Sequence, residues 1–218
     1  MSALLLALLA LQAPLDEGTL LVRQDTAEIG REAFRLSGAR GGSGWTLAST
    51  VRYDRNRPIV VLNPILEIGA DSLPASLEFS VADPRDPLRI LGQLARGRFT
   101  VRLLGRRTER AREFPASGHV VVLDDSVFAL YLLAAWHAGP SPVPVTAIFA
   151  RSGRRELLVV QDQGVEATTV NRDPASLHHV TVRGGANQLV HLWLDRAGRL
   201  LKVEVPASRL TAERAPAS

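Results

Sequence analysis

Two runs show the pattern that prevails along the chain. In residues 75–81, Leu77, Phe79 and Val81 alternate with Glu78 and Ser80; in 98–103, Phe99, Val101 and Leu103 alternate with Arg98, Thr100 and Arg102. Period-two alternation places one set of side chains on a buried face and the other in water, so both runs predict strands. Strand-like runs between turn residues also cover 19–25, 31–36, 45–53, 59–68, 88–95 and 108–114. They resume at 143–150, 156–161, 165–170, 177–182, 189–194 and 199–205, punctuated by "RSGR", "DQG", "NRDP", "RGGAN" and "DRAG". Connections this short predict antiparallel neighbours. A meander of about twelve strands is too wide for a flat open sheet and predicts one that curls or closes.

One stretch breaks the pattern. "LDDSVFALYLLAAWHAG" has hardly a polar residue after its opening aspartates. It predicts a helix over 124–138, capped by Asp124 or Asp125 and stopped by Gly139 and Pro140. About a dozen helical residues span roughly 18 Å, well short of a bilayer core. A helix apolar on all sides must be surrounded by protein. The predicted fold is therefore mainly β: a long antiparallel meander curled into a half-barrel or open barrel around one central apolar helix. The candidate lining of its concave face is Phe79, Phe99, Val101, Leu103, Phe128, Leu132, Trp136 and Trp193. Either these side chains pack fully as core, or they leave an apolar pocket for an acyl chain or similar ligand.

The opening "MSALLLALLALQAP" is an apolar run with small residues at Ala10 and Ala13, which predicts a signal peptide over 1–13 and an exported, periplasmic or extracellular protein. No Lys or Arg precedes the run, and Pro14 follows the expected cut. No other segment is long enough for a membrane span. The rest predicts a single β-rich domain over 18–206 and a loose, Pro-containing tail over 207–218.

Composition narrows the function. Of the 218 residues, 46% are hydrophobic and only 5% aromatic, so the core is built from Leu, Val, Ile and Ala. The net charge of +4 comes from 26 basic and 22 acidic residues. The densest basic stretch (Arg96, Arg98, Arg102, Arg106, Arg107, Arg110, Arg112) has Glu109 and Glu113 among it, which reads as a solvated strand face and not a nucleic-acid footprint. The absence of cysteine excludes disulfides, thiolate zinc sites and a thiol nucleophile.

The checks for chemistry point away from catalysis. The histidines are His119, His137, His178, His179 and His191. Neighbours on a strand, such as His178 and His179, face opposite ways, so a metal site there needs a third ligand such as His191 or Asp195; surface or capping roles are the simpler reading, and no metal or cofactor is expected. Asp124–Ser126 reads as a helix cap, and no G-x-S-x-G elbow exists. The glycine-rich "GARGGSG" and "RGGAN" do not join a strand to a helix and read as wide turns, while Asp71, Asp83 and Asp86 stand in Pro-bounded turns. The segment "WLDRAGRLLKVEVP" reads as a closing hairpin, with Lys202 and Glu204 opposite Leu201, Val203 and Val205.

The "VVVLDDSVFALYLLAAW" segment, the closing "VHLWLDRAGRLLKVEVP" hairpin and the early "EIGREAFRL" (28–36) together resemble certain secreted bacterial domains of unknown function that share the half-barrel-plus-helix fold of the lipoprotein carriers LolA and LolB. The resemblance covers most of 18–214 and is one of pattern, with no functional residue to carry over. It implies a concave apolar surface that binds a lipid, a glycolipid or an acylated protein. Without Cys, the chain departs from an anchored lipoprotein of the LolB kind. The resulting expectation is an exported non-catalytic domain that binds an apolar or amphipathic ligand in the concave face of its sheet. The alternative is a structural or protein-interaction module of the cell envelope with a packed interior.

Overall fold

The computed structural model describes residues 15–39, 43–55, 58–185 and 188–216; the expected signal peptide lies outside the described residues. The N-terminal half forms β1 (Asp16–Gln24), β2 (Ala27–Gly38), β3 (Gly44–Tyr53), β4 (Val60–Gly69), β5 (Pro74–Ala82), β6 (Leu88–Ala95), β7 (Arg98–Gly105) and β8 (Glu109–Pro115). A short strand β9 (Val120–Leu123) and a short α-helix α1 (Tyr131–Ala135) follow. The C-terminal half holds β10 (Val143–Phe149), β11 (Arg154–Val170), β12 (Asp173–Arg183), β13 (Leu189–Leu194), β14 (Leu200–Val205) and β15 (Leu210–Arg214).

Among the described residues the fifteen strands form one sheet in the order β8-β7-β6-β5-β4-β3-β2-β1-β15-β14-β13-β12-β11-β10-β9. The protein is thus mainly β and a meander, as its alternation predicts. The turn chemistry is local: Arg96 and Gly97, between β6 and β7, both have positive φ (51° and 70°), the geometry of a tight primed hairpin turn. The sheet does not close, since β8 and β9 are its two ends. It is nevertheless strongly bent. Strands β5 and β9 touch although ten strands lie between them in the order, and a flat sheet would hold them about 50 Å apart.

Four expectations are corrected. The helix predicted over 124–138 forms only as α1, five residues long, flanked by single turns such as Val127 N–H to the Asp124 carbonyl and Tyr131 N–H to the Phe128 carbonyl. Apolar composition specified burial here, not conformation. Strand β9 runs parallel to β10, not antiparallel; the connection 124–142 supplies the crossover of roughly a dozen or more residues that a parallel pair requires. The separate strands expected at 156–161 and 165–170 are one strand, β11, with a bulge where "DQG" reads as a turn. The tail expected to be loose carries β15, which pairs with β1 on one side and β14 on the other and joins the two halves of the sheet.

The core lies on one face. Leu20 and Val22, Phe34 and Leu36, Leu77 and Phe79, Phe99 and Val101, Val180 and Val182, and Val190 and Leu192 are buried in a single cluster that also takes in Val127 to Ala134.

Candidate functional site

Five of the eight expected lining residues, Phe79, Phe99, Val101, Phe128 and Leu132, are fully buried in the common core. Leu103 is partly buried against it. Trp136 is 37% exposed and meets Trp45 edge-on at 5.2 Å between centroids. The space beside α1 is filled: the cavity lined by Leu133, Trp136 and His137 measures about 10 Å³, at most the room for one water. Trp193 lies on the opposite face of the sheet, out of step with the core residues Leu192 and Leu194. The structure therefore brings Phe79, Phe99, Val101, Phe128 and Leu132 together as core and places Trp193 apart from them.

The larger opening lies along one rim of the sheet, where strands begin and end. A cleft of about 700 Å³ is lined by the ends of several strands, by the turn after β5 and by the 125–126 turn. Its apolar wall is Ile29, Val60, Leu62, Val81, Leu88 and Leu210, and Tyr53, Asp125, Ser126 and Arg151 stand at its polar side. None of the eight expected residues lines it.

The polar side is built on an ion pair. Asp124, 3% exposed, accepts from Arg151 through Nε (3.0 Å) and Nη2 (2.9 Å). Arg151 Nη2 also donates to Ser126 Oγ at 2.9 Å, and the Ser126 N–H donates to Asp124 Oδ1 at 2.9 Å. The Tyr53 hydroxyl donates to the Ser126 carbonyl at 2.8 Å. Three side-chain bonds fix the guanidinium plane, and Nη1 is left without an acceptor among the described residues. Burial raises the Asp124 carboxyl, opposed by the adjacent Arg151 charge. Burial also pushes the Tyr53 phenol upward, with the negative charges of Glu32 and Asp124 adding to it.

Behind this layer Glu32, fully buried, points from β2 into the core. It accepts from the backbone N–H of Phe128 (2.7 Å) and Ala129 (3.1 Å) and from Ser49 Oγ (2.8 Å). Burial lifts its carboxyl to about 7, against the pull of those three hydrogen bonds. It does not line the cleft, so it positions the 124–129 turn and does not face a ligand. The sequence reading missed Glu32, Tyr53 and Arg151. Only Glu32 carries a signal: it shares the inward parity of Phe34 and Leu36, and a charge there needs buried partners.

Four of the five histidines form two pairs, His119 with His137 (ring centroids 4.7 Å) and His179 with His191 (5.1 Å). Among the described residues no group of three His, Asp or Glu is placed to share a metal ion. Among the described residues no helix is long and apolar enough to cross a membrane. Compared with known proteins, the chain matches no family model, no curated sequence and no solved structure.

Proposed function

We propose that the protein is an exported, non-catalytic binding domain that takes the apolar part of an amphipathic ligand (a lipid, a glycolipid or an acylated protein) into the cleft at the rim of its sheet. The observation that carries this reading is the pairing of a six-residue apolar wall with the fixed Arg151 donor across about 700 Å³, within the size range of ligand pockets. The rim sets Arg55, Arg85 and Arg151 against Asp83, Asp86 and Asp125, so it offers no net field for a strongly anionic head. A neutral head with an acceptor oxygen, such as an ester or amide carbonyl, suits Nη1 of Arg151. The bent sheet and the buried 127–134 segment are in keeping with a LolA-like half-barrel, with the ligand at its mouth and not beside α1.

The filled space around α1 favours the second reading, an envelope module whose partner is protein. Native mass spectrometry and lipid extraction of protein purified from an envelope fraction separate the two. Ligand binding predicts co-purifying lipid that is lost in Leu88→Arg, which places a charge on the cleft wall. No co-purifying lipid, together with no thermal shift from neutral or anionic vesicles, would overturn the binding reading.

A further inference from the structure

Past Asp162, β11 runs beyond its partner β10 and pairs with β12 alone, forming a hairpin arm over 163–176. The arm begins at a bulge: the register slips between Asp162 and Gly164, Gly164 has φ +82°, and its N–H donates to Asp162 Oδ1 at 2.7 Å. It ends in a turn whose central residues, Asn171 and Arg172, both have positive φ (50° and 76°).

The arm does not project into solvent. Across β12–β15 the residues His179, Trp193, Lys202 and Glu213 stand in one cross-strand row on the face opposite the core. Thr169 pairs with Pro174, which precedes His179 on β12 by about 17 Å of extended chain. Yet Lys202 Nζ donates to the Thr169 carbonyl at 3.1 Å, and Asn171 Nδ2 donates to the Arg214 carbonyl at 2.6 Å. Both contacts require the arm to fold back at Gly164 across β13, β14 and β15. Beneath it His179, Lys202 and Glu213 are 8%, 6% and 9% exposed, although they occupy the outward face. No arm residue from 163 to 176 is fully buried, so the arm itself adds little apolar burial. A segment held with little apolar burial of its own opens more easily than the strands under it.

The contacts at the hinge form a relay of two protons. Glu166 Oε2 on the arm meets His179 Nδ1 at 2.5 Å, and His179 Nε2 meets His191 Nδ1 at 2.8 Å. With the Glu166 carboxylate accepting from His179 Nδ1–H, His179 Nε2 is left as the acceptor of His191 Nδ1–H. We propose that the 163–176 arm is a strap, hinged at Gly164, that closes over the Trp193 row and opens in acid when both rings of the His179–His191 pair are charged, since two N–H donors then face each other and the pair is forced apart. The groups facing the pair are Glu166 on β11, Arg183 on β12, Lys202 and Glu204 on β14, Glu213 on β15 and Arg23 on β1. Burial and the neighbouring His179 hold the His191 imidazole below the ordinary histidine range, opposed by Glu204 and Glu166, so the closed strap is the state of neutral pH.

Amide hydrogen exchange of the full chain, read by mass spectrometry and corrected for intrinsic rates, tests this. Between about pH 7.5 and about pH 5, exchange in 163–176 should accelerate at least tenfold more than in β3–β5. His191→Gln keeps an N–H donor for His179 Nε2 but cannot take a charge, and should abolish that acceleration. Lys202→Met removes the Thr169 anchor and should speed the arm at both pH values while β3–β5 stay unchanged. Arm exchange that does not respond to pH, an equal acid response in H191Q, or unchanged arm exchange in K202M would each overturn the strap.

Discussion

Glu32 Oε2 accepts the backbone N–H of Phe128 at 2.7 Å across 96 residues of chain. With the Ala129 N–H beside it, this carboxyl holds the chain just before α1, whose own N-cap residue, Leu130, offers no side-chain cap. Desolvation lifts Glu32 from 4.5 to about 7, so the folded protein holds its proton more tightly than the unfolded chain. The stability this contributes is complete below pH 4.5 and is lost as pH rises through about 7. The span amounts to roughly 3 kcal/mol. In Glu32→Gln that fall disappears, so the difference in unfolding free energy between wild type and E32Q should decline from pH 4.5 to 7 in urea titrations. Parallel curves would show that Glu32 titrates normally.

Asp124 and Arg151 form the second buried anchor of the same turn. Arg151→Met strands the Asp124 carboxylate at 3% exposure. The expected cost is about 2–3 kcal/mol, less than for a fully enclosed pair because the guanidinium is half-exposed. Asp124→Asn in the same chain should restore part of it, and a double-mutant cycle by chemical denaturation measures the coupling. A cycle that sums to zero leaves no role for the pair in stability.

The strands were legible because alternation reports a one-sided sheet directly: Leu77, Phe79, Val81, Phe99 and Val101 all face the core. Conformation was less legible where burial comes from every side. Val120 to Leu123 is a continuous apolar run, which periodicity cannot assign to strand or helix, and it forms β9. In 127–134 burial left the backbone to be decided by remote groups, above all Glu32. Strand β15, "LTAER", is too small and polar to announce itself; pairing on both edges makes it a strand. Trp193 looked like a core residue because large aromatics usually are, and only the fold-back of a distant hairpin gives it a covered place on the outer face. The cleft was illegible because its wall gathers residues from distant strand ends and turns.

Gly92 marks a close approach that composition hides. It stands inward on β6 between Leu77 and Phe99, and a Cβ there would come within 2.5 Å of Phe99 Cζ and 2.8 Å of Leu77 Cβ. Gly92→Ala should therefore destabilise by about 1–3 kcal/mol, despite the lower unfolded-state entropy of alanine. Phe99→Leu in the same chain makes room and should recover part of the loss. Urea midpoints of the wild type and the two variants check this, and a neutral or stabilising G92A would refute the crowding.

Trp193 presents the opposite situation, a group whose removal should help. Its ring stacks on His179 (centroids 4.9 Å, planes 8° apart) and lies under Lys202 Nζ at 4.9 Å, but its Nε1–H is buried without an acceptor among the described residues. A buried donor with no partner carries a desolvation cost of about 1–3 kcal/mol. Phenylalanine keeps an aromatic face for both neighbours and loses the unpaired N–H, at the expense of some buried area. Trp193→Phe should therefore leave stability unchanged or raise it by about 1 kcal/mol. Trp193→Leu, which also discards the stack and the cation–π contact, should lower it by about 1–2 kcal/mol. Urea unfolding followed by far-ultraviolet circular dichroism distinguishes the two. A loss in W193F as large as in W193L would mean that the indole N–H is satisfied in solution, and the strap would then sit over a row that it does not fully desolvate.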